Sequence, residues 1–332
     1  MPQVSIIIPC YNEQKTIRLL LDAIRAQTFP HSQMEVIIAD GMSQDGTRAE
    51  IAAWQAETPD LLVRVIDNLK RNIPSALNRA IEAAQGEVIV RLDAHSVPAV
   101  DYVERSVAAL ENGLGDNVGG IWRIQPGASG WLARSIAIAA SHPLAVGGAQ
   151  YRVGGQPQEV DTVPFGAFRR ALVDRIGPYD ESLFTNEDYE FNTRIRQADG
   201  VVWFDPLIQS AYFARSTYNE LASQYWRYGY WKLRMLRRYP ETIRWRQGLP
   251  PVFVASLILL GALAFLSRWA GWLLLLEGLG YLLVLLAIGI RESQKHKDWP
   301  LVIGLPLAIG CMHFSWGMGF IWSFVKVIFK RN

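Results

Sequence analysis

Apolar residues follow two regimes along the chain. Up to about residue 250, short β-branched runs alternate with segments of helical period; from Val252 onward almost every position is apolar. Val4-Ser5-Ile6-Ile7-Ile8 predicts a buried strand stopped at Pro9. A polar turn, Cys10-Tyr11-Asn12-Glu13, leads into a helix reaching about Gln27, with Ile17, Leu20, Leu21 and Ile24 at helical spacing. Glu35 to Ala39 reads as a second strand ending in Asp40-Gly41, and Met42 to Thr47 turns into a further helix. Leu61 to Ile66 is a third apolar run. Asn72 is placed to cap a helix that has Pro74 in its first turn, where the missing N–H costs nothing. Glu87-Val88-Ile89-Val90 is the fourth strand and leads to Asp93. This alternation predicts an α/β fold: a Rossmann-like, mostly parallel sheet flanked by helices on both faces.

Further on, Val118 to Ile124 reads as another strand, and Gly147-Gly148 and Gly154-Gly155 flank Tyr151-Arg152 in a polar stretch. Val160 to Arg170 leads into a short helix, and Asn186-Glu187-Asp188-Tyr189-Glu190 opens a longer one through Arg196. From Tyr212 to Tyr239 aromatic residues interleave with Arg and Lys. That mixture could stack on single-stranded nucleic acid. A basic amphipathic helix on a membrane surface fits better, because apolar spans follow at once.

Pro250-Pro251 is expected to break the chain. Val252 to Leu266 is uncharged but short, roughly 22 Å as a helix against a hydrocarbon core of about 30 Å. Trp269 to Ile290 and Trp299 to Phe324 are full-length spans, separated by a charged loop from Arg291 to Asp298. Two or three spans are therefore expected, with three preferred. The basic segment Lys232 to Arg246 is expected to face the cytosol, and Glu277, inside a span, to face another helix. The organisation expected is an α/β domain over residues 1–215, interface helices over 216–250 and membrane helices over 251–332.

Composition adds little: across 332 residues the net charge is +2, which makes no case for a polyanion partner. Cys10 and Cys311 lie in the two different regimes, so no disulfide is expected and a reducing compartment fits. Residues 4–8 are too short, and lack the preceding basic segment, for a secretory signal.

The chemistry gathers at strand ends. Parallel strands bring their C-terminal tips to one edge, where ligands bind in open α/β sheets. Tyr11 and Glu13, Asp40, then Asp93 and His95 all sit at such tips. Tyr11 could stack on a base, Asp40 accept from a base N–H, and Asp93 reach a ribose or a metal. Asp93 and His95 together could hold a divalent cation and, through it, a diphosphate. Alternatively, Asp93 simply caps the helix after Pro98. Glu187 and Asp188, likewise, could do no more than favour the dipole of the helix they open.

VSIIIPCYNE, EVIIADGMSQDGT and RNIPSALNRAIEAAQGEVIVRLDAHS, over residues 3–97, together resemble the nucleotide-binding half of family 2 glycosyltransferases, which have the GT-A fold. The resemblance implies donor contacts at Pro9, Tyr11, Glu13, Asp40, Arg71 and Asp93. It implies a divalent metal, Mn2+ or Mg2+, at Asp93 and His95. The family's Asp-x-Asp motif is here Asp93-Ala94-His95, and an imidazole suits manganese better than magnesium. Where the family has a second acid after the second strand, this chain has Gly41. Glu187-Asp188 is similar to the Glu-Asp motif of the inverting members, in which the Asp, here Asp188, is the general base. DTVPFGAFRR, NEDYEFNTRIR and YFARSTYNELASQYWRYGYWK resemble the narrower ExoA-type group of exopolysaccharide synthesis, succinoglycan included. That group implies a nucleotide-sugar donor, most simply UDP-linked. It implies a polyprenyl-diphosphate or other lipid-linked acceptor at the cytoplasmic face of a bacterial-type inner membrane. Gln224, Arg227 and Tyr228 resemble the Gln-x-x-Arg-Trp motif of processive members, which lines the acceptor end and contacts diphosphate; a plain surface helix is the alternative. A processive polysaccharide synthase and a non-catalytic nucleotide-sugar-binding membrane partner remain as other readings. Nucleotidyl transfer lacks its Gly-rich phosphate loop.

Overall fold

The computed structural model describes residues 2–329, and its contacts divide them into two compact units. One unit comprises residues up to 123 and 150–212; the other comprises 124–149 and the chain from 213 onward.

In the first unit, nine strands among the described residues form one sheet: β1 (Val4–Cys10), β2 (Met34–Asp40), β3 (Leu62–Asp67), β4 (Val88–Arg91), β5 (Ser96–Pro98), β6 (Asn117–Gln125), β7 (Gln158–Glu159), β8 (Ala167–Arg169) and β9 (Val202–Phe213). Their order is β3-β2-β1-β4-β8-β6-β9-β5, with β7 beside β9. The first four strands are parallel, as the βαβ alternation requires. Beyond β4 the ladders run antiparallel. The GT-A-like half-and-half sheet therefore changes direction beside β4.

Alternation along the strands feeds both faces. Ile6 and Ile8 of β1 pack with Leu20, Leu21, Ile24 and Trp54 on one side, whereas Ile7 packs with Ala76, Leu77 and Ala80 on the other. Asn72 caps its helix as the sequence predicts: its Oδ1 accepts from Ser75 N–H at 2.9 Å. On β4, Ile89 faces the same side as the Glu187–Gln197 helix, whose Phe191 and Ile195 share its core. Arg91, two residues on, keeps that direction. This register aims a strand-end arginine at the start of the helix carrying Asp188.

Among the described residues, the second unit has three helices long and apolar enough to cross a membrane: Trp245–Leu263, Arg268–His296 and Leu301–Phe329. Two expectations are corrected here. Pro250 and Pro251 do not break the chain but lie inside the first of these helices, which begins upstream at Trp245. At 19 residues it is about 28 Å long, enough for a span. Both prolines lie beyond the first turn, so each forfeits an i→i−4 hydrogen bond, and Pro251 is buried in the packing of this unit. The charged stretch after Ile290 is no loop either: it stays helical to His296. Glu277 faces a neighbouring helix, as expected, and accepts from Ser256 Oγ at 2.5 Å.

Leu301–Phe329 is the centre of this unit. Its Gly317 meets Pro250, and its Gly319 meets the backbone of Trp226 on the amphipathic Tyr218–Leu236 helix. On that helix Gly229 returns the close approach. A Cβ there would stand 2.1 Å from the carbonyl oxygen of Trp316, a backbone atom that no rotamer change can move away. Gly229→Ala is therefore expected to destabilise the unit by about 2–3 kcal/mol, toward the upper end of overpacking costs, read as a lowered midpoint in thermal unfolding of the detergent-solubilised protein.

Candidate active site

The tips of β1, β2 and β4 bear the expected groups, and their loops are laced together. Asn12 N–H donates to Ser43 Oγ at 2.8 Å, and Asn12 Oδ1 accepts from Gln44 N–H at 2.8 Å. Pro9 lies inside β1. Tyr11 is 43% exposed, and its ring lies over Gly41, where a Cβ would come within 3.2 Å of Tyr11 Cδ2. The absent second acid after β2 thus leaves room for an aromatic platform. Asp40 is fully buried. It accepts from Ser43 N–H at 3.0 Å, Ser43 Oγ at 2.5 Å and Arg48 Nε at 2.6 Å. Arg48 also binds Asp67, at the end of β3, at 2.6 Å; this link escaped the sequence reading. Arg71 is exposed and sits at positive φ.

Asp93 does not cap a following helix, because the next helix is Tyr102–Glu111. Its Oδ1 instead accepts from Arg91 Nη2 at 3.1 Å and Nε at 3.3 Å. His95 Nδ1 lies 3.0 Å from Glu13 Oε1. Asp93, Glu13 and His95 side chains are all partly open, at 20%, 24% and 36% exposure. Among the described residues no three His, Cys, Asp or Glu side chains converge to hold a metal unaided. The oxygen and imidazole donors fit a divalent cation that takes its remaining ligands from water and a diphosphate, as hard cations at phosphate sites commonly do.

The group the sequence reading missed is Arg91. It is 1% exposed. Its Nη2 also donates to Glu187 Oε1 at 3.1 Å, and its Nη1 to Asp188 Oδ1. The signal was present: a basic residue closes the otherwise apolar strand Val88-Ile89-Val90, and a buried cation demands partners. Glu187 lies one turn before Phe191 and two before Ile195, so it faces the core. Asn192, one turn after Asp188, donates to Thr162 Oγ1 and to the Val163 carbonyl at 2.9 and 3.0 Å. The helix start is thereby fixed against the loop at 162–166.

In that loop Phe165 and Gly166 both have positive φ, as do Asn12, Met42, Arg71 and Asn186 near the other strand and helix tips. Non-glycine residues held at positive φ are costly, and such strain clusters at functional sites.

Asp188 titrates high. Burial pushes its carboxyl up to about 7; Arg91 opposes the rise, while Glu187 and Asp93 add to it. The same burial raises the phenols of Tyr102 and Tyr179, which flank the cluster. A carboxylate poised near neutrality is suited to taking a proton.

Gln224, Arg227 and Tyr228 lie in the second unit, on the Tyr218–Leu236 helix. Gln224 Nε2 donates to Tyr228 Oη at 3.1 Å, and Arg227 is exposed.

With this geometry in view, the family description "Glycosyl transferase family 2" matches residues 5–177. The chain belongs to glycosyl transferase family 2. It is 32% identical over 324 residues to the succinoglycan biosynthesis protein ExoA of Rhizobium meliloti (strain 1021), covering 95% of this chain and 93% of that protein. It is 27% identical over 331 residues to a dolichyl N-acetyl-alpha-D-glucosaminyl phosphate 3-beta-D-2,3-diacetamido-2,3-dideoxy-beta-D-glucuronosyltransferase of Methanococcus voltae, covering 97% of each. In fold it is similar to a mannosyltransferase from Pyrobaculum calidifontis in complex with GDP-Man and Mn2+. There the TM-score is 0.63 at 20% identity, covering 100% of this chain and 88% of that one. Family 2 membership and the GT-A-like fold thus agree with what the strand-tip motifs imply.

For this family 2 chain, activity is expected to fall about tenfold per pH unit below about 7, as Asp188 takes up a proton. Glu187→Gln removes a negative charge that raises Asp188, so the acid limb of kcat/KM is expected to move to lower pH. A pH–rate profile of both proteins checks this.

Proposed function

We propose that the protein is an inverting glycosyltransferase that moves a sugar from a nucleotide-sugar donor, most simply a UDP-sugar, to a lipid-linked acceptor at a membrane surface. What supports the reading is the convergence of Asp93, Glu187 and Asp188 on one buried arginine at the C-terminal edge of β4. An inverting transfer joins two events at one anomeric carbon: departure of the diphosphate and in-line attack by an acceptor hydroxyl. Tyr11, with its ring partly exposed over Gly41, is suited to stacking on the base, and Arg71 to meeting the diphosphate. Asp93, with Glu13 and His95 beside it, would hold a divalent cation, which when bound offsets charge on the leaving diphosphate. Asp188 takes the acceptor's proton as attack proceeds, a contribution typically worth 10²–10⁴-fold. Glu187 keeps Asp188 basic through its adjacent charge.

The acceptor side of the reading rests on the second unit. Its apolar helices suit a protein anchored by several spans with its sugar-nucleotide site cytoplasmic, at a bacterial-type inner membrane, since the basic residues Arg234 to Arg244 precede the first span. The succinoglycan and dolichyl-linked relatives favour a polyprenyl-linked acceptor. Arg227, exposed on the Tyr218–Leu236 helix, is suited to a lipid diphosphate.

The test offers membranes containing the full chain a panel of radiolabelled UDP-sugars and GDP-mannose with manganese. Label is expected to pass into the lipid extract, to stop on chelation, and to return more fully with manganese than with magnesium. A protein that binds these donors yet neither transfers nor hydrolyses any of them at any metal concentration overturns the reading in favour of a non-catalytic partner. Asp188→Asn is expected to lower turnover at least 10²-fold while donor binding, followed by titration calorimetry, stays near wild type.

A further inference from the structure

Arg91 stands between the two halves of the proposed chemistry, and each of its donor atoms has its own use. Nη1 donates to Asp188, Nη2 is shared by Asp93 and Glu187 at 3.1 Å each, and Nε adds a second contact to Asp93 at 3.3 Å. We infer that Arg91 is a positioning residue for transfer: its guanidinium sets the carboxylate of Asp188 at a fixed distance and angle from the donor-side carboxylate of Asp93. The inference rests on the glycosyltransfer reading above and deepens it.

Three features of the molecule carry it. First, the carboxylates come from different pieces of chain. Asp93 follows β4, while Glu187 and Asp188 open a helix nearly a hundred residues later in sequence, and no covalent neighbour fixes one against the other. Second, Arg91 is itself fixed at both ends. Its N–H donates to the Gly166 carbonyl at 3.0 Å, and its guanidinium is held by Asp93, Glu187 and Asp188. Asp188 is thus held by a guanidinium whose own backbone is tied into the sheet, and 23% of its side chain stays accessible. Third, a single buried cation facing three carboxylates makes a poor device for stability, since desolvation offsets most of the attraction. Its value lies in the fork: a planar guanidinium fixes direction as well as charge. In-line displacement is sensitive to direction, and a misplacement of about 1 Å can cost 10²-fold.

Lysine at this position keeps the charge and loses the fork. In the full-length protein, Arg91→Lys is expected to lower kcat about 100-fold, measured as manganese-dependent hydrolysis of the UDP-sugar that wild type turns over fastest. The donor KM should change by less than about fivefold, with the thermal midpoint close to wild type. Near-normal kcat in Arg91→Lys overturns the inference, as does a loss that merely tracks a fall in thermal midpoint or donor affinity. In Arg91→Ala, added guanidinium ion is expected to restore turnover saturably, and a folded variant that guanidinium leaves inactive also overturns it. If Arg91→Ala does not fold, the Arg91→Lys result decides alone. A wild-type protein without any donor turnover overturns this inference together with the glycosyltransfer reading; turnover in wild type that Arg91→Lys matches overturns only the former.

Discussion

A buried guanidinium must be neutralised where it stands, and that requirement organises the catalytic unit. Arg91 sits at the end of β4 with almost no access to solvent. Its partners arrive from the segment just after the strand and from the start of the Glu187–Gln197 helix. Three carboxylates meet one cation there, so removing Arg91 itself would leave their mutual repulsion unopposed in a poorly solvated place, at a cost of several kcal/mol. The antiparallel ladders beyond β4, and the helix laid over them, are therefore held in register with the parallel half by electrostatics as well as by Phe168, Tyr179 and Phe191 packed on one another. The change of sheet direction beside β4 falls where the donor side and the acceptor side of the proposed transfer meet.

The parallel half was legible because each signal was local. Ile6 and Ile8 against Ile7 mark a two-sided strand, Asn72 and Pro74 mark a helix start, and Asp40 and Asp93 mark strand tips. The other half depends on contacts distant in sequence. Nothing near Arg91 announces that two of its partners lie about a hundred positions on, and nothing near Phe165 announces its positive φ. The helix Trp131–Ser141 and the long strand β9 escaped for another reason. The helix mixes small and polar residues, and the strand interrupts a run of large apolar residues with Asp205-Pro206, so neither shows a clean period.

The prolines teach the opposite lesson. Pro250-Pro251 looked like a stop, because proline excludes itself from helix interiors in isolation. In the folded unit, Gly317 brings a neighbouring backbone up to Pro250, and the helix continues through both residues. Local propensity was overruled by close packing between helices, the same kind of contact that joins Gly229 and Gly319 to their neighbours.

The second unit is stitched from two separate lengths of chain. Residues 124–149 leave the sheet-bearing sequence and join the C-terminal helices. There Arg134 pairs with Asp298 at 2.7 Å, and Ser135 and Trp131 press against Gly304. A stop codon placed after the last strand would therefore do more than release a soluble enzyme from its anchor. It would bare the row of alanines along Trp131–Ser141 that the missing helices cover. Anyone seeking a fragment without the apolar helices would have to redesign that segment as well, because the unit that holds them begins inside the sheet-bearing sequence.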